Sequence, residues 1–304
     1  MTAQPNALIS GIHHVTAIAS DPQANIDFYT GFLGLRLVKK TVNFDDPGSY
    51  HFYYGDYNGT PGTIMTFFPW PGARRGRKGN GQVTVTSFAV PRNSIGAWVE
   101  KLSKADIDFD GPITRFGEEA LVFTDPDGLH LELVGSTDDE GHAIRSFHSA
   151  TISEEGYEST ARLLTDTMGF RHAGEEGNRF RFVIGDGGPS KIVDVLCSPD
   201  AARGLVAAGT VHHIAWRTPD AEQQLRWRGI LVGLDYNVSP VMDRNYFESI
   251  YYREPGGVLF EIATDPPGFT VDEPIDALGS GLKLPFQYES MRARIEAALP
   301  PVTT

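Results

Sequence analysis

Paired histidines stand twice in this chain: His13 and His14 in GIHHVTAI, and His212 and His213 in TVHHIAWRTP, each inside a run rich in β-branched residues. Imidazole is the commonest metal ligand and the side chain that titrates nearest neutral pH. A lone histidine on a half-buried strand is usually a hydrogen-bonded structural residue, so it is the repetition that favours ligands. Glu261, in VLFEIA, is the candidate third ligand, because a carboxylate within a strand is costly to bury unless it is paired or metal-bound. Two neutral imidazoles and one carboxylate form a facial triad that leaves three positions open on an octahedral ion, which suits Fe(II), with Mn(II) the close competitor. Those open positions admit an aromatic diol and O2 together.

Strand geometry must position these groups. Alternation puts His14, Thr16 and Ile18 on one face and His13, Val15 and Ala17 on the other, while His213 and Ala215 lie opposite His212, Ile214 and Trp216. Alternation alone does not rank the histidines of a pair. The stretches FTDPDGLHLELV and YREPGGVLFEIA share an acid, a proline, a glycine and a later glutamate, and each reads as strand, turn, strand. If Pro255, Gly256 and Gly257 make the second loop, Glu254 pairs with Val258 and Tyr251 falls opposite Glu261. Arg244, upstream in VMDRNYFESIYYREPGG, can bring a fixed cation to the same sheet; on spacing alone a surface salt bridge explains it equally well.

The two hairpins belong to a longer repeat. IHHVTAIAS is followed by DPQANIDFYTGFLG, with Asp21 as N-cap and Pro22 at the first helical position. QVTVTSFAVP is followed by NSIGAWVEKLSKA, whose Ile95, Trp98, Val99 and Leu102 recur at helical spacing. Further copies begin at SFHSATIS and VHHIAWRTP. The reading is an α+β fold of four βαβββ modules of about 55 residues each, in two pseudo-repeated domains that form curved, partly open mixed sheets with flanking helices. Residues 1–138 and 139–268 each hold two modules, and residues 269–304 form a tail with one helix in FQYESMRARIEAALPP. PWPGARRGRKGNGQ reads as a solvated connector rather than an anion site, since no helix start follows it. The His-His pairs fall in modules one and four. The matching places in modules two and three keep only His148, in the register of His13, and Glu132, the repeat mate of Glu261. That asymmetry predicts one working site and one relic.

Composition sets limits. The chain has 304 residues, with 26 Lys plus Arg against 39 Asp plus Glu, a formal charge of −13 that argues against nucleic acid or an anionic membrane as partner. The single cysteine, Cys197, cannot form a disulfide within the chain and reads as a small buried hydrophobe. The opening MTAQPNALIS lacks a signal-peptide pattern, and no run approaches the roughly 18 apolar residues of a spanning helix. A cytoplasmic enzyme or binding protein is the expectation, and a homo-oligomer is compatible with it.

At these residues the sequence resembles the vicinal oxygen chelate superfamily, which includes glyoxalase I, bleomycin-resistance proteins and extradiol dioxygenases. More narrowly, HHVTAIASDPQANIDFYTGFLGLRLVKKTVNFDDPGSYHFYYGD and GTPGTIMTFFPWPG resemble ring-cleaving hydroquinone dioxygenases, with likeness continuing to LKLPFQYE. The resemblance implies His14, His213 and Glu261 as metal ligands. Around them it implies His13, Thr16, His212, Arg244 and Tyr251, with the site in the cleft between modules one and four. The implied chemistry is cleavage of a substituted or chlorinated hydroquinone with O2 at Fe(II), by way of a ring-expanded lactone. Tyr251 and Arg244 would hold the substrate oxygen, and His212 or His13 would orient ligands or carry protons. Glyoxalase I needs a second carboxylate where this chain has Thr66 and Phe67, and fosfomycin-resistance enzymes resemble only half this length. A metal-free protein that binds an aromatic compound is the alternative of another class, disfavoured by the retained imidazoles and Glu261.

Overall fold

Strand β1 (Ile12–Ala19) is buried along its whole length, as a strand flanked on both sides by others in the middle of a sheet must be. It opens the first module, which continues through α1 (Pro22–Ile26), β2 (Arg36–Val42), β3 (Tyr50–Gly55) and β4 (Ile64–Pro69). The second module is β5 (Gln82–Pro91), α2 (Ile95–Lys104), β6 (Phe109–Arg115), β7 (Glu118–Thr124) and β8 (His130–Thr137). The third is β9 (Ser146–Glu154), α3 (Glu158–Arg162), β10 (Phe170–Glu176), β11 (Arg179–Ile184) and β12 (Ile192–Cys197). The fourth is β13 (Thr210–Thr218), α4 (Ala221–Gly233), β14 (Met242–Asp243), β15 (Phe247–Arg253) and β16 (Leu259–Pro267). This computed structural model describes residues 8–304.

The modules assemble as two curved 8-stranded mixed sheets, ordered β14-β15-β16-β13-β1-β4-β3-β2 and β10-β11-β12-β9-β5-β8-β7-β6. Within a module the first and last strands run parallel, as β1 with β4 and β13 with β16, while β1 meets β13 antiparallel. Modules one and four therefore share a sheet about a pseudo-twofold axis, and modules two and three share the other. Each sheet takes one module from residues 1–138 and one from residues 139–268.

Helices cover the outer faces as their sequences dictate. Asp21 caps α1 by accepting from the Ala24 amide at 2.9 Å, with Pro22 in the first turn. Ile95, Trp98 and Leu102 of α2 are buried, and the Trp98 indole donates to the His142 carbonyl at 2.8 Å. Among the described residues no helix is long and apolar enough to cross a membrane.

Three local expectations need correction. The connector PWPGARRGRKGNGQ is not simply solvated: the Gly76 amide donates to Ala208 O at 2.8 Å, Leu205 to Arg77 O at 2.7 Å and Asn80 to Ala202 O at 3.0 Å. The pseudo-twofold axis lays the two intermodule connectors side by side, so their backbone groups satisfy one another. Cys197 is only half-buried at the end of β12, where it leaves the core. The C-terminal helix divides into a 3-10 segment, Phe286–Met291, and α5 (Arg292–Ala298). Phe286 is 93% exposed whereas Ile295 and Leu299 are buried, so α-helix forms where an apolar face has something to pack against.

The tail braces module one. Lys39 is wholly buried, and its ammonium bonds Asp272 and Glu273, each at 2.5 Å, and Phe269 O at 3.2 Å. Farther on, the Tyr288 hydroxyl donates to Phe44 O at 2.8 Å, which ties down the loop between β2 and β3.

Candidate metal centre

Both His-His pairs sit on β-bulges. Along β1, Ile12 faces Trp216 and His14 faces Ala215, which leaves His13 as the extra residue; along β13, Thr16 faces His213 and Ala17 faces Val211, which leaves His212 extra. A bulge interrupts the alternation of faces, so neighbouring rings that a regular strand would send to opposite sides come together. His13 Nδ1 lies 2.9 Å from His14 Nδ1, and His212 Nδ1 lies 2.8 Å from His213 Nδ1. With His14 and His213 each protonated at Nδ1, His13 and His212 accept those protons, and the Nε2 lone pairs of His14 and His213 turn inward.

Those two lone pairs converge with a carboxylate. His14 Nε2 and His213 Nε2 are 3.3 Å apart, and Glu261 Oε2 lies 3.2 Å from the first and 2.9 Å from the second. All three residues are buried. Glu261 Oε1 accepts from the Ser249 hydroxyl, whereas Oε2 has no hydrogen-bond donor among the described residues. An orphan carboxylate oxygen facing two imidazole nitrogens is a donor set that fits a divalent cation. Burial pushes the Glu261 carboxyl up, whereas N–H bonds and positive charge from His14 and His213 hold it well below the ordinary range; with both Nε2 atoms unprotonated, a bound cation would supply that positive charge instead. Burial, with the neighbouring His14 and Arg244, pulls His213 down despite Glu261, and burial beside His213 brings His212 to about 3.

The triad opens into a cavity of about 340 Å³, near the lower end of the roughly 300–1,000 Å³ usual for ligand sites. Its walls include Phe44, Tyr53, Phe68, Trp70, Phe247 and Tyr251. Tyr251 pairs with Glu261 across β15 and β16, and the loop register holds, with the Glu254 amide donating to Val258 O at 3.1 Å. The Tyr251 hydroxyl accepts from Arg244 Nε at 3.2 Å. Burial and the charge of Glu261 push this phenol up, so it stays protonated.

Comparison with known proteins decides the lineage. The chain is 50% identical over 303 residues to a Bacillus subtilis (strain 168) protein provisionally named ring-cleaving dioxygenase MhqO, covering 96% of both. The chain belongs to the glyoxalase/bleomycin resistance protein/dioxygenase superfamily. The profile of that superfamily matches residues 11–133. The chlorohydroquinone/hydroquinone 1,2-dioxygenase of Sphingobium indicum is 35% identical over 303 residues, covering 93% of this chain and 94% of that protein. The crystal structure of a provisionally named dioxygenase from Bacillus subtilis subsp. subtilis str. 168 superimposes with a TM-score of 0.93 at 49% identity, covering 98% of both chains.

Superfamily symmetry explains the second sheet. There His148 and Thr84 are the extra residues of matching bulges, which puts Ser149 at the place of His14 and Val85 at that of His213. His148 Nδ1 still reaches Ser149 Oγ at 2.9 Å. Glu132, facing Ser87 as Glu261 faces Ala215, is bonded by Ser87 Oγ at 2.6 Å and by the Arg115 guanidinium. Asp194 stands where Thr66 stands in the other sheet, and Arg181 binds it through two nitrogens at 2.8 and 3.0 Å. Fixed guanidinium charges there neutralise carboxylates that face no imidazole pair.

The remaining sequence candidates divide by position. His14, His213, His212, Arg244 and Tyr251 line the cavity, whereas His13 and Thr16 are buried and are not among its lining residues. Thr16 Oγ1 lies 2.8 Å from Thr66 Oγ1. Tyr53, like Phe44, Phe68 and Trp70 of the quoted motifs, lines the cavity, while Tyr54, Phe67 and Trp216 pack in the core. Sequence reading missed Asp45, Ser249 and His51. His51 lines the cavity with Nε2 at 2.9 Å from Thr66 Oγ1 and Nδ1 at 2.9 Å from the Tyr53 hydroxyl. Burial, with the nearby His14, His213 and Arg244, pulls its pKa well below the ordinary value. A signal was present: Tyr53 faces Thr66 as Tyr251 faces Glu261, so His51 is the repeat mate of Ser249.

Proposed function

We propose that this protein is an Fe(II)-dependent, extradiol-type ring-cleaving dioxygenase that acts on hydroquinone-like diols with O2. The observation that carries the reading is the buried His14–His213–Glu261 triad, with Glu261 Oε2 unpartnered, opening into an aromatic-walled cavity beside Tyr251 and Arg244. The names of the relatives support the same chemistry. Two imidazole nitrogens and one carboxylate oxygen suit Fe(II), with Mn(II) next. Bound iron would supply redox relay between an electron-rich ring and O2.

The chain's own residues bind, orient and protect. His13 and His212 fix the tautomer and the aim of the two ligand imidazoles, as outer hydrogen-bond partners of ligands do. Ser249 anchors the far oxygen of Glu261. The protonated Tyr251 phenol can donate to a substrate oxygen that gains negative charge, and Arg244 polarises that phenol from behind. The aromatic walls offer apolar faces on which a flat ring would pack. A glyoxalase-type reaction is less well supported because Thr66, not a carboxylate, faces the site from module one, hydrogen-bonded to Thr16 and His51.

The test is anaerobic loading with Fe(II), followed by oxygen uptake and ultraviolet spectra with hydroquinones, catechols and methylglyoxal–glutathione hemithioacetal. Stoichiometric O2 consumption with loss of ring absorbance is expected for a hydroquinone. Glu261→Ala is expected to lose bound iron and oxygen uptake together. Full iron loading without uptake on any diol would refute the reading.

A further inference from the structure

The loop between β2 and β3 reaches across the cavity mouth. Asp45 on this loop lines the cavity and bonds Arg244 of module four, Oδ2 to Nη2 at 3.2 Å and Oδ1 to Nη1 at 3.4 Å. Arg244 is only 14% exposed, against 67% for Asp45. Backbone and tail set the loop: the Asn43 amide donates to Ser49 O at 2.9 Å, the Asp45 amide to Asn43 Oδ1 at 3.0 Å, and the Tyr288 hydroxyl holds Phe44 O. Among the described residues, Arg244 is the only arginine or lysine that lines this cavity. One edge of its guanidinium is taken by Tyr251 and another by Asp45.

We propose that Asp45 is a specificity-determining residue: by occupying Arg244 it restricts the cavity to uncharged diols and rejects rings that carry a carboxylate. This rests on the diol reading given above and names the substrate class within it. A ring carboxylate entering the cavity must leave water and meet an arginine whose charge is already matched, beside a second carboxylate. Burying an unmatched charge is costly, and like charges brought together add to the cost. A neutral hydroquinone needs no counter-ion, and Arg244 remains aimed at Tyr251. Discrimination of this kind comes from a built-in repulsion as much as from attraction to the right ligand.

The experiment compares hydroquinone with 2,5-dihydroxyphenylacetate, the same ring bearing a carboxylate arm, in wild type, Asp45→Asn and Asp45→Glu. Binding to the Fe(II)-loaded proteins is measured anaerobically by titration calorimetry, and kcat/KM by oxygen uptake. Wild type is expected to favour the neutral ring by about tenfold or more, from desolvation of the ring carboxylate together with its repulsion by Asp45. Asp45→Asn is expected to close that gap by about tenfold through KM, with a gain for the acid that fades as salt is raised; Asp45→Glu is expected to keep the wild-type ratio. An unchanged binding ratio in Asp45→Asn overturns the proposal, as does failure of both rings to bind any of the proteins. A shifted binding ratio without oxygen uptake by any protein upholds Asp45 as the selector while refuting ring cleavage.

Discussion

Ser249→Ala tests whether the support behind Glu261, a proposed metal ligand, matters as much as the ligand. Ser249 is fully buried and its hydroxyl donates to Glu261 Oε1, so no water replaces the lost donor. A hydrogen bond to a charged group contributes about 1.5–3 kcal/mol. At about 1.4 kcal/mol per decade, this is roughly a ten- to hundredfold loss of metal affinity, the same span found for other partners behind metal ligands. The assay is anaerobic titration of metal-free protein with Fe(II) and Mn(II), using a competing chelator, with circular dichroism to verify the fold. Affinity within about twofold of wild type, with the whole loss appearing as a lower Tm of the metal-free protein, would refute the reasoning: the bond would then hold β15 to β16 rather than aim Glu261.

Tyr251→Phe is expected to keep stoichiometric iron while slowing turnover roughly a hundredfold, the usual cost of one donor to developing charge; iron analysis beside oxygen uptake checks it, and lost iron contradicts the assigned role. Glu132→Gln, in the second sheet, should leave metal content unchanged and lower stability by roughly 3 kcal/mol, because Arg115 loses a buried partner; denaturant unfolding and metal analysis read the two effects. Glu154 is 1% exposed, and burial together with the charge of Glu254 pushes it up to about 9. Since this folded value lies above the ordinary 4.5, its contribution to stability is complete below the unfolded pKa and disappears as pH rises through the folded one. Tm should therefore fall between about pH 5 and pH 9, and Glu154→Gln should flatten that slope and raise Tm at pH 8; a slope unchanged by the substitution refutes the assignment.

The sequence by itself determined the module and its repetition, because hydrophobic period, the Asp21 cap and the Pro/Gly hairpins are local signals. It also determined the facing of Tyr251 and Glu261, since a three-residue loop fixes register within one hairpin. The proposal of His14, His213 and Glu261 as metal ligands came from the repeat together with family resemblance, because regular alternation could not rank His13 against His14. Tertiary structure decided what depends on pairing across modules. The bulges that turn His13 toward His14 and His212 toward His213 exist because β1 and β13 meet antiparallel with one residue to spare on each. No pattern within either strand encodes that. Nor could local signals reveal that a loop of module one would set Asp45 against Arg244, or that guanidinium groups would stand beside Glu132 and Asp194. Side chains far apart in sequence become neighbours only when the sheets close, and the low dielectric of that closed interior is what then gives a carboxylate between two imidazoles its chemistry.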